Sequence, residues 1–337
     1  MTSMKDIANA CGVSIATVSK ALNGHRDIGE NTRKLVKKTA KDMGYFPNSS
    51  ARALKINKSY NLGVLFIDGA RSGLTHDYFI SILESFKITA EIHGYDITFI
   101  NGSKQRKDKM TYLDCCRYRG VDGVIIACID FDEAEVSELI QSDIPIVTID
   151  HLFNNHNCIM SDNIKGVNDL VNYIYECGHR KIAFIHGAKS AVTQARLSSF
   201  YKTIEELGLD LPDEYVKEAP YRDTEMTEVV TNELLDLKEP PTCIMFPDDF
   251  ASIGGINAIK SRGLSIPDDI SVVGYDGIRV MKYYEPLLTT INQDTASMGQ
   301  IAAERLINLI EKPKSTLIEL IIIPGELEKG SSVKKIV

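Results

Sequence analysis

The chain has 337 residues, 44% hydrophobic and 25% charged, the make-up of a globular protein long enough for two or three domains. No apolar run approaches the ~20 residues of a membrane helix, and the opening MTSMKDIANACG lacks the apolar core of a signal peptide, so a cytoplasmic protein is expected. The net charge of −8 hides a split: residues 1–60 hold eleven Lys/Arg against four Asp/Glu, net +7, while the remainder holds 27 against 42, net −15. A basic head on an acidic body points to a phosphate-binding module fused to another domain.

Within the head, Ser3-x-x-Asp6 can form a capping box opening a short helix with Ile7 and Ala8 on its buried side. Cys11-Gly12-Val13 ends that helix and turns. Ser14 can cap a second helix, 15–22, which stops at Asn23-Gly24. Two short helices joined by a glycine-containing turn make a helix-turn-helix. A third helix is expected over about 30–43, with Leu35, Val36 and Ala40 as its inward stripe and Gly44 as its stop. In the second helix Val18 should face the first, leaving Ile15, Ala16 and Lys20 toward a major groove. Lys20 can donate to guanine, and Ile15 and Ala16 can touch a thymine methyl. By periodicity alone Ile15 also fits a core position. Ser14, Thr17, Ser19, Asn23 and Tyr45 suit phosphates, and Arg26 joins them as a candidate DNA contact. Pro47 then blocks helix continuation, and Asn48 or Ser49 can cap a short helix too weak to persist alone.

From residue 61 onward, apolar runs alternate with amphipathic stretches. Candidate strands are 62–67, 96–100, 123–127 and 144–149, then 181–185, 242–246 and 270–274. Continuous apolar strands separated by helices imply parallel sheets covered on both faces. Weakly similar halves suggest two lobes, and in such folds a ligand sits beyond the carboxyl ends of the strands. Asp68, Asp150, Asp248, Asp249 and Asp276 all follow predicted strands. Carboxylates there can accept hydrogen bonds from a polyol, although each is also a plausible helix cap. Tyr78, Phe79 and Tyr221 can stack on an apolar ligand face or simply fill the core.

Two runs carry a family resemblance: Met4-Lys5-Asp6-Ile7-Ala8 through Gly12-Val13-Ser14-Ile15-Ala16-Thr17-Val18-Ser19-Lys20-Ala21-Leu22-Asn23-Gly24, and Gly44-Tyr45-Phe46-Pro47-Asn48-Ser49-Ser50-Ala51-Arg52-Ala53-Leu54. They resemble the start of the LacI-type (lactose/purine repressor) family of bacterial transcription regulators. Ser161-Asp162-Asn163, 178–184, 266–276 and 286–291 resemble the family's periplasmic-binding-protein-like sensor, to about residue 332. The resemblance implies that the hinge orders on DNA, with Leu54 wedged into the minor groove and Arg52 and Lys55 beside it. It places Asp276 and Arg196 at ligand-binding positions and Asp150 at the cleft. Asp248 stands where Asn is usual, replacing two donors by a negative charge. The fold expected is α/β: a three-helix helix-turn-helix head (1–46) and hinge (47–59), then a two-lobed sensor with parallel sheets. Its lobes would comprise 60–160 with 290–322, and 161–289 with 323–337.

A ligand-controlled operator-binding repressor follows, acting as a homodimer on pseudo-palindromic DNA, with a sugar as the expected effector. A nucleobase, a sugar phosphate or a protein co-repressor remains an alternative, as does a plain solute-binding protein. The chain has no G-x-S-x-G elbow, G-x-G-x-x-G fingerprint, P-loop or H-E-x-x-H, so no enzyme is expected. Its seven cysteines form no C-x-x-C pair, and His151 and His156 lack ligand spacing, so neither a metal nor a cofactor is expected.

Overall fold

The computed structural model describes residues 2–46, 58–68, 73–101 and 110–336. The chain divides into a head, Met1–Ser59, and a body, Tyr60–Val337.

Among the described residues, the head holds three helices: α1 (Met4–Cys11), α2 (Ile15–Leu22) and α3 (Glu30–Asp42). The capping box forms, with Ser3 and Asp6 exchanging side-chain and backbone bonds, and Gly12 ends α1 at φ 65°. That left-handed conformation suits glycine and turns the chain tightly enough for Ser14 to cap α2 through the Thr17 amide at 3.0 Å. Ile7, Ala8, Val18, Ala21, Val36 and Ala40 make a single small core. Leu35, expected inward, is 49% exposed. Val36 and Ala40 lie four residues apart on one helical face, and Leu35 is turned off it by about 100°. Arg33 donates to the carbonyls of His25 and Ile28, tethering the α2–α3 loop.

The body carries the expected alternation of strands and helices. Strands β1 (Asn61–Phe66), β2 (Asp96–Ile100), β3 (Gly123–Ala127), β4 (Ile146–Ile149) and β5 (Asn157–Ser161) join one parallel sheet. Helices α4 (Asp77–Ile92), α5 (Tyr112–Arg119) and α6 (Ala134–Ile140) connect them. A second parallel sheet holds β6 (Ile182–His186), β7 (Val216–Glu218), β8 (Cys243–Met245) and β9 (Ser271–Val273), in the order β7-β6-β8-β9. Its helices are α7 (Asn163–Glu176), α8 (Ala191–Glu206), α9 (Thr224–Leu235) and α10 (Asp249–Ser261).

The chain then crosses back. Strand β10 (Thr290–Asn292) leads into α11 (Thr295–Glu311), which packs on α4 of the first lobe. Strand β11 (Leu320–Ile323) completes the first sheet, in the order β11-β5-β4-β3-β1-β2. Strand β12 (Glu326–Glu328) pairs antiparallel with β10, and the tail ends on the second lobe, where the Ile336 amide donates to the Cys177 carbonyl. The seven predicted strands are present within two residues at their ends. Strands β5, β7, β10, β11 and β12 were not anticipated, because each is short and only pairing with a distant segment gives it a partner.

The cores follow the layers. Leu62, Val64, Ile125 and Val147 pack under α4 and α11, where Gly299 is pressed on α4: a Cβ there would meet the Ile82 carbonyl oxygen at 2.2 Å. The second lobe buries two faces of one sheet, Ile185, Ile244 and Val272 on one side and Phe184, Met245 and Val273 on the other.

Candidate functional site

Two surfaces gather the predicted residues. On the head, α2 turns Val18 and Ala21 inward and leaves Ile15 49% exposed, so Ile15 is not part of the head core. Ser14, Ala16, Lys20, Asn23 and Arg26 are also exposed, and Thr17 and Ser19 are half-buried. Ser14 spends its oxygen on the Thr17 amide, and Asn23 donates back to the Ser19 carbonyl at 2.8 Å, so both first serve α2 itself. Tyr45 packs on the edge of the head core, with its ring half-buried. Lys20 forms an ion pair with Asp27, both side chains about half exposed. Asp27's carboxyl is held below its usual range by the Lys20 hydrogen bond. The hinge candidates Arg52, Leu54 and Lys55 lie outside the described residues.

The second surface lies at the carboxyl ends of the body's strands. On the first lobe, Asp150 follows β4 in a left-handed conformation (φ 59°). Its carboxylate accepts from the Tyr78 hydroxyl at 2.8 Å and from the Ser161 amide at 3.4 Å. Burial raises the Asp150 carboxyl, opposed by Tyr78 and by the charge of Arg196. Tyr78, predicted as a stacking aromatic, is buried in the core, with its hydroxyl committed to Asp150. Phe79 is half-buried among Phe66, His76 and Tyr78.

On the second lobe, Arg196 of α8 is 5% exposed. Its Nε donates to Asn163 at 2.8 Å and its Nη1 to the Pro247 carbonyl at 2.9 Å, while its plane lies over the Tyr275 ring at 3.6 Å. Its Nη2 stands 3.9 Å from Asp276, an ion pair too long for a direct hydrogen bond. Burial raises the Asp276 carboxyl well above the usual range, with Arg196 opposing, and Gln293 donates to it at 2.6 Å. Tyr221 shares a hydrogen bond with Thr193 at 2.9 Å, and Gly187 leaves room for its ring.

The five aspartates divide. Asp150 and Asp276 sit with Arg196. Asp248 caps α10 through the Ala251 amide at 2.7 Å, and its other oxygen takes the Arg222 amide at 2.8 Å, so the cap alternative describes it. Asp249 is fully buried, accepting from the Ile278 amide and the Thr290 hydroxyl. It braces the β9 loop against the crossing strand, and that commitment removes it from an open ligand surface. Burial pushes its carboxyl up to about 7. Asp68 lies apart from Arg196, accepting from the Gly73 amide and from the Cys128 thiol.

Sequence reasoning missed Asn163, Tyr275, Gln293 and Arg222. Asn163 and Tyr275 lie inside matched segments beside named residues, a signal that could have drawn them in. Arg222 carried none. It follows Tyr221 in a left-handed conformation (φ 61°), pairs with Asp77 of the first lobe at 3.1 Å and donates to the Thr75 carbonyl.

A basic three-helix head and a two-lobed body with a buried arginine–carboxylate cluster at the strand ends define a ligand-sensing DNA-binding regulator. Residues 3–48 match "Bacterial regulatory proteins, lacI family", and residues 63–329 match "Periplasmic binding proteins and sugar binding domain of LacI family". The HTH-type transcriptional repressor PurR of Histophilus somni (strain 129Pt) is 30% identical over 99% of each chain. The probable HTH-type transcriptional repressor ExuR of Bacillus subtilis (strain 168) is 30% identical over 100% of this chain and 99% of its own. Among solved structures, the lac repressor dimer bound to operator and the anti-inducer ONPF superposes with a TM-score of 0.83 at 25% identity, covering 99% of both chains. The chain belongs to the LacI family of bacterial transcription regulators: it is a DNA-binding repressor with a small-molecule sensor domain. Among the described residues, no helix is long and apolar enough to cross a membrane.

Proposed function

We propose that the protein represses transcription as a homodimer on a pseudo-palindromic operator and that a neutral, hydroxyl-rich effector of the sugar class controls it from the cleft. The carrying observation is a buried arginine, Arg196, 3.9 Å from the Asp276 carboxylate, with its charge acting also on the Asp150 carboxyl. Three buried polar atoms on adjoining residues, Tyr275 Oη, Gln293 Oε1 and Ser161 Oγ, have no hydrogen-bond partner among the described residues. Buried polar groups left unpaired are costly, so a polar guest supplying both donors and acceptors is favoured. With Asp150 and Asp276 facing a single Arg196, a phosphate or carboxylate effector would meet carboxylates on two sides. The sugar class agrees with the description of the matched sensor family.

In this reading the lobes comprise 60–160 with 290–322 and 161–289 with 323–337. The DNA contacts are Ser14, Ile15, Ala16, Thr17, Ser19, Lys20, Asn23, Arg26 and Tyr45, with Arg52, Leu54 and Lys55 of the hinge. The protein has no enzymatic turnover and works in the cytoplasm with DNA. Effector binding changes the lobe arrangement and thereby the fit of a two-fold dimer to its operator.

A thermal-shift screen against neutral sugars, sugar phosphates, uronates and nucleosides tests it. At about a hundred times its dissociation constant a ligand adds roughly 2.7 kcal/mol of stability. A neutral sugar that raises Tm, with the effect lost in Asp276→Ala and Arg196→Ala, supports the reading. A shift confined to anionic ligands or nucleosides overturns the effector class, and hydrolysis of the added sugar overturns the assignment as a non-enzyme.

A further inference from the structure

Asp68, His76 and Cys128 are separated in sequence, and no spacing rule joins them. The fold does. Asp68 follows β1 and Cys128 follows β3, and these strands are neighbours with Phe66 opposite Ala127. His76 is the N-cap residue of α4, which packs over the same sheet. One ligand atom from each residue lies within 4.8 Å of the other two.

A second observation concerns the histidine alone. His76 is 8% exposed, and its Nδ1 is buried with no hydrogen-bond partner among the described residues. A ring nitrogen removed from water and left unpaired is uncommon, and metal ligation is one of the few roles that satisfies it. Cys128 stands beside it with its backbone at φ 52°, a left-handed conformation that is strained for a non-glycine residue. The Ile67 amide donates to the Cys128 carbonyl at 3.2 Å, fixing the loop that presents the thiol.

From these we propose that Asp68, His76 and Cys128 form a site for a zinc-class divalent ion, with a fourth coordination position open to an outside ligand. One oxygen, one nitrogen and one sulfur suit Zn²⁺ or Co²⁺ and argue against Ca²⁺ and Mg²⁺, which take oxygen. Tetrahedral zinc bonds set neighbouring ligand atoms about 3.3–3.6 Å apart, so the widest separation here closes by about 1.5 Å at most. On binding, a metal–sulfur bond forms, the thiol S–H bond breaks, and its proton, now directed at Asp68, leaves to solvent. A cavity of about 250 Å³ has Asp68, Phe66, Leu74 and Asn101 among its walls. The ion would also brace the segment that the second lobe grips, since Arg222 holds Thr75 and Asp77 on either side of His76. Arg222's own charge is balanced by Asp77.

The test uses the full chain, reduced and stripped with chelator, titrated with Co²⁺ and then Zn²⁺. We expect one Co²⁺ per chain with a thiolate-to-cobalt charge-transfer band, displacement of that band by Zn²⁺, and a Zn²⁺-dependent rise in Tm. Cys128→Ser abolishes the band, while Cys177→Ser leaves it intact. Asp68→Asn, nearly isosteric, and His76→Ala weaken binding by more than the roughly 10–100-fold that loss of an outer-shell partner costs. Circular dichroism confirms that each variant is folded. A folded chain that gives no thiolate band, or a band that survives Cys128→Ser, overturns the site. The effector screen with Asp276→Ala reads a different set of residues, so either assignment can fail without the other.

Discussion

Arg222 and Asp77 are 145 residues apart in the chain, yet Nη1 of one lies 3.1 Å from Oδ2 of the other, joining the two lobes of the sensor. Arg222 is the more deeply placed partner, its side chain only 6% exposed against 37% for Asp77, and it lies over the Phe250 ring at 4.2 Å. Its amide is fixed by Asp248, whose carboxylate holds the turn that aims Arg222 across the cleft. If a ligand binds the lobes in this arrangement, breaking the contact lowers the fraction of molecules ready to receive it. Asp77→Asn is expected to weaken effector binding up to about tenfold, or roughly 1.4 kcal/mol, with little change in Tm. Calorimetric titration of the effector into both proteins measures this, and equal affinities would remove the clasp from the mechanism.

On the proposed reading, Lys20 leaves Asp27 to reach a base. The pair is half exposed and therefore holds Lys20 weakly. Asp27→Asn should raise operator affinity a few-fold by freeing Lys20 and removing a negative charge near the phosphates. Lys20→Ala should lower affinity and relax sequence preference at the contacted base by about 1–3 kcal/mol. Fluorescence anisotropy over a salt series gives both, since the affinity of each protein should fall linearly with log salt. An Asp27→Asn protein that binds operator more weakly would show that the pair organises the head instead.

Asp249 links stability to pH in an uncommon direction. An ordinary aspartate titrates near 3.8, whereas burial lifts this one to about 7. Between those values the folded protein keeps a proton that the unfolded chain has released. The stabilisation is therefore complete below about pH 4 and is lost as pH rises through about 7. Asp249→Asn can still accept from Ile278 and can donate to Thr290, so it should fold. The difference in urea-unfolding free energy between wild type and variant is expected to shift in the variant's favour from pH 4 to pH 7, by on the order of a few kcal/mol. A difference that does not change with pH would mean that the carboxylate is ionised throughout.

Gly299 is where α11 meets α4 at backbone distance. A methyl group would sit 2.2 Å from the Ile82 carbonyl oxygen and 2.7 Å from Ser85 Cβ, and neither backbone can yield without moving a helix. Gly299→Ala should cost about 1–3 kcal/mol of sensor stability even though alanine is the better helix former. Thermal unfolding checks this, and an unchanged or higher Tm would show that the helices separate freely.

Local sequence determined a good deal of this protein. The Ser3/Asp6 box, the Gly12 turn and the Ser14 cap are interactions among residues a few positions apart, and they could be read directly. The apolar runs at Leu62, Gly123 and Ile182 were legible as strands because parallel strands covered on both faces need no polar alternation. Charge alone separated the head from the body. Tertiary structure decided what residue type and spacing leave open. Five aspartates after strands look alike in sequence, but only their neighbours make Asp248 a cap, Asp249 a buried brace, Asp276 the ion-pair partner of Arg196 and Asp150 the acceptor of the Tyr78 hydroxyl. Leu35 faces solvent because the helix-packing angle favours Val36. Arg222 meeting Asp77, and Asp68 meeting His76 and Cys128, depend on crossovers between strands distant in the chain. Sequence order carries no record of such meetings, because the packing that creates them is settled by the whole core at once.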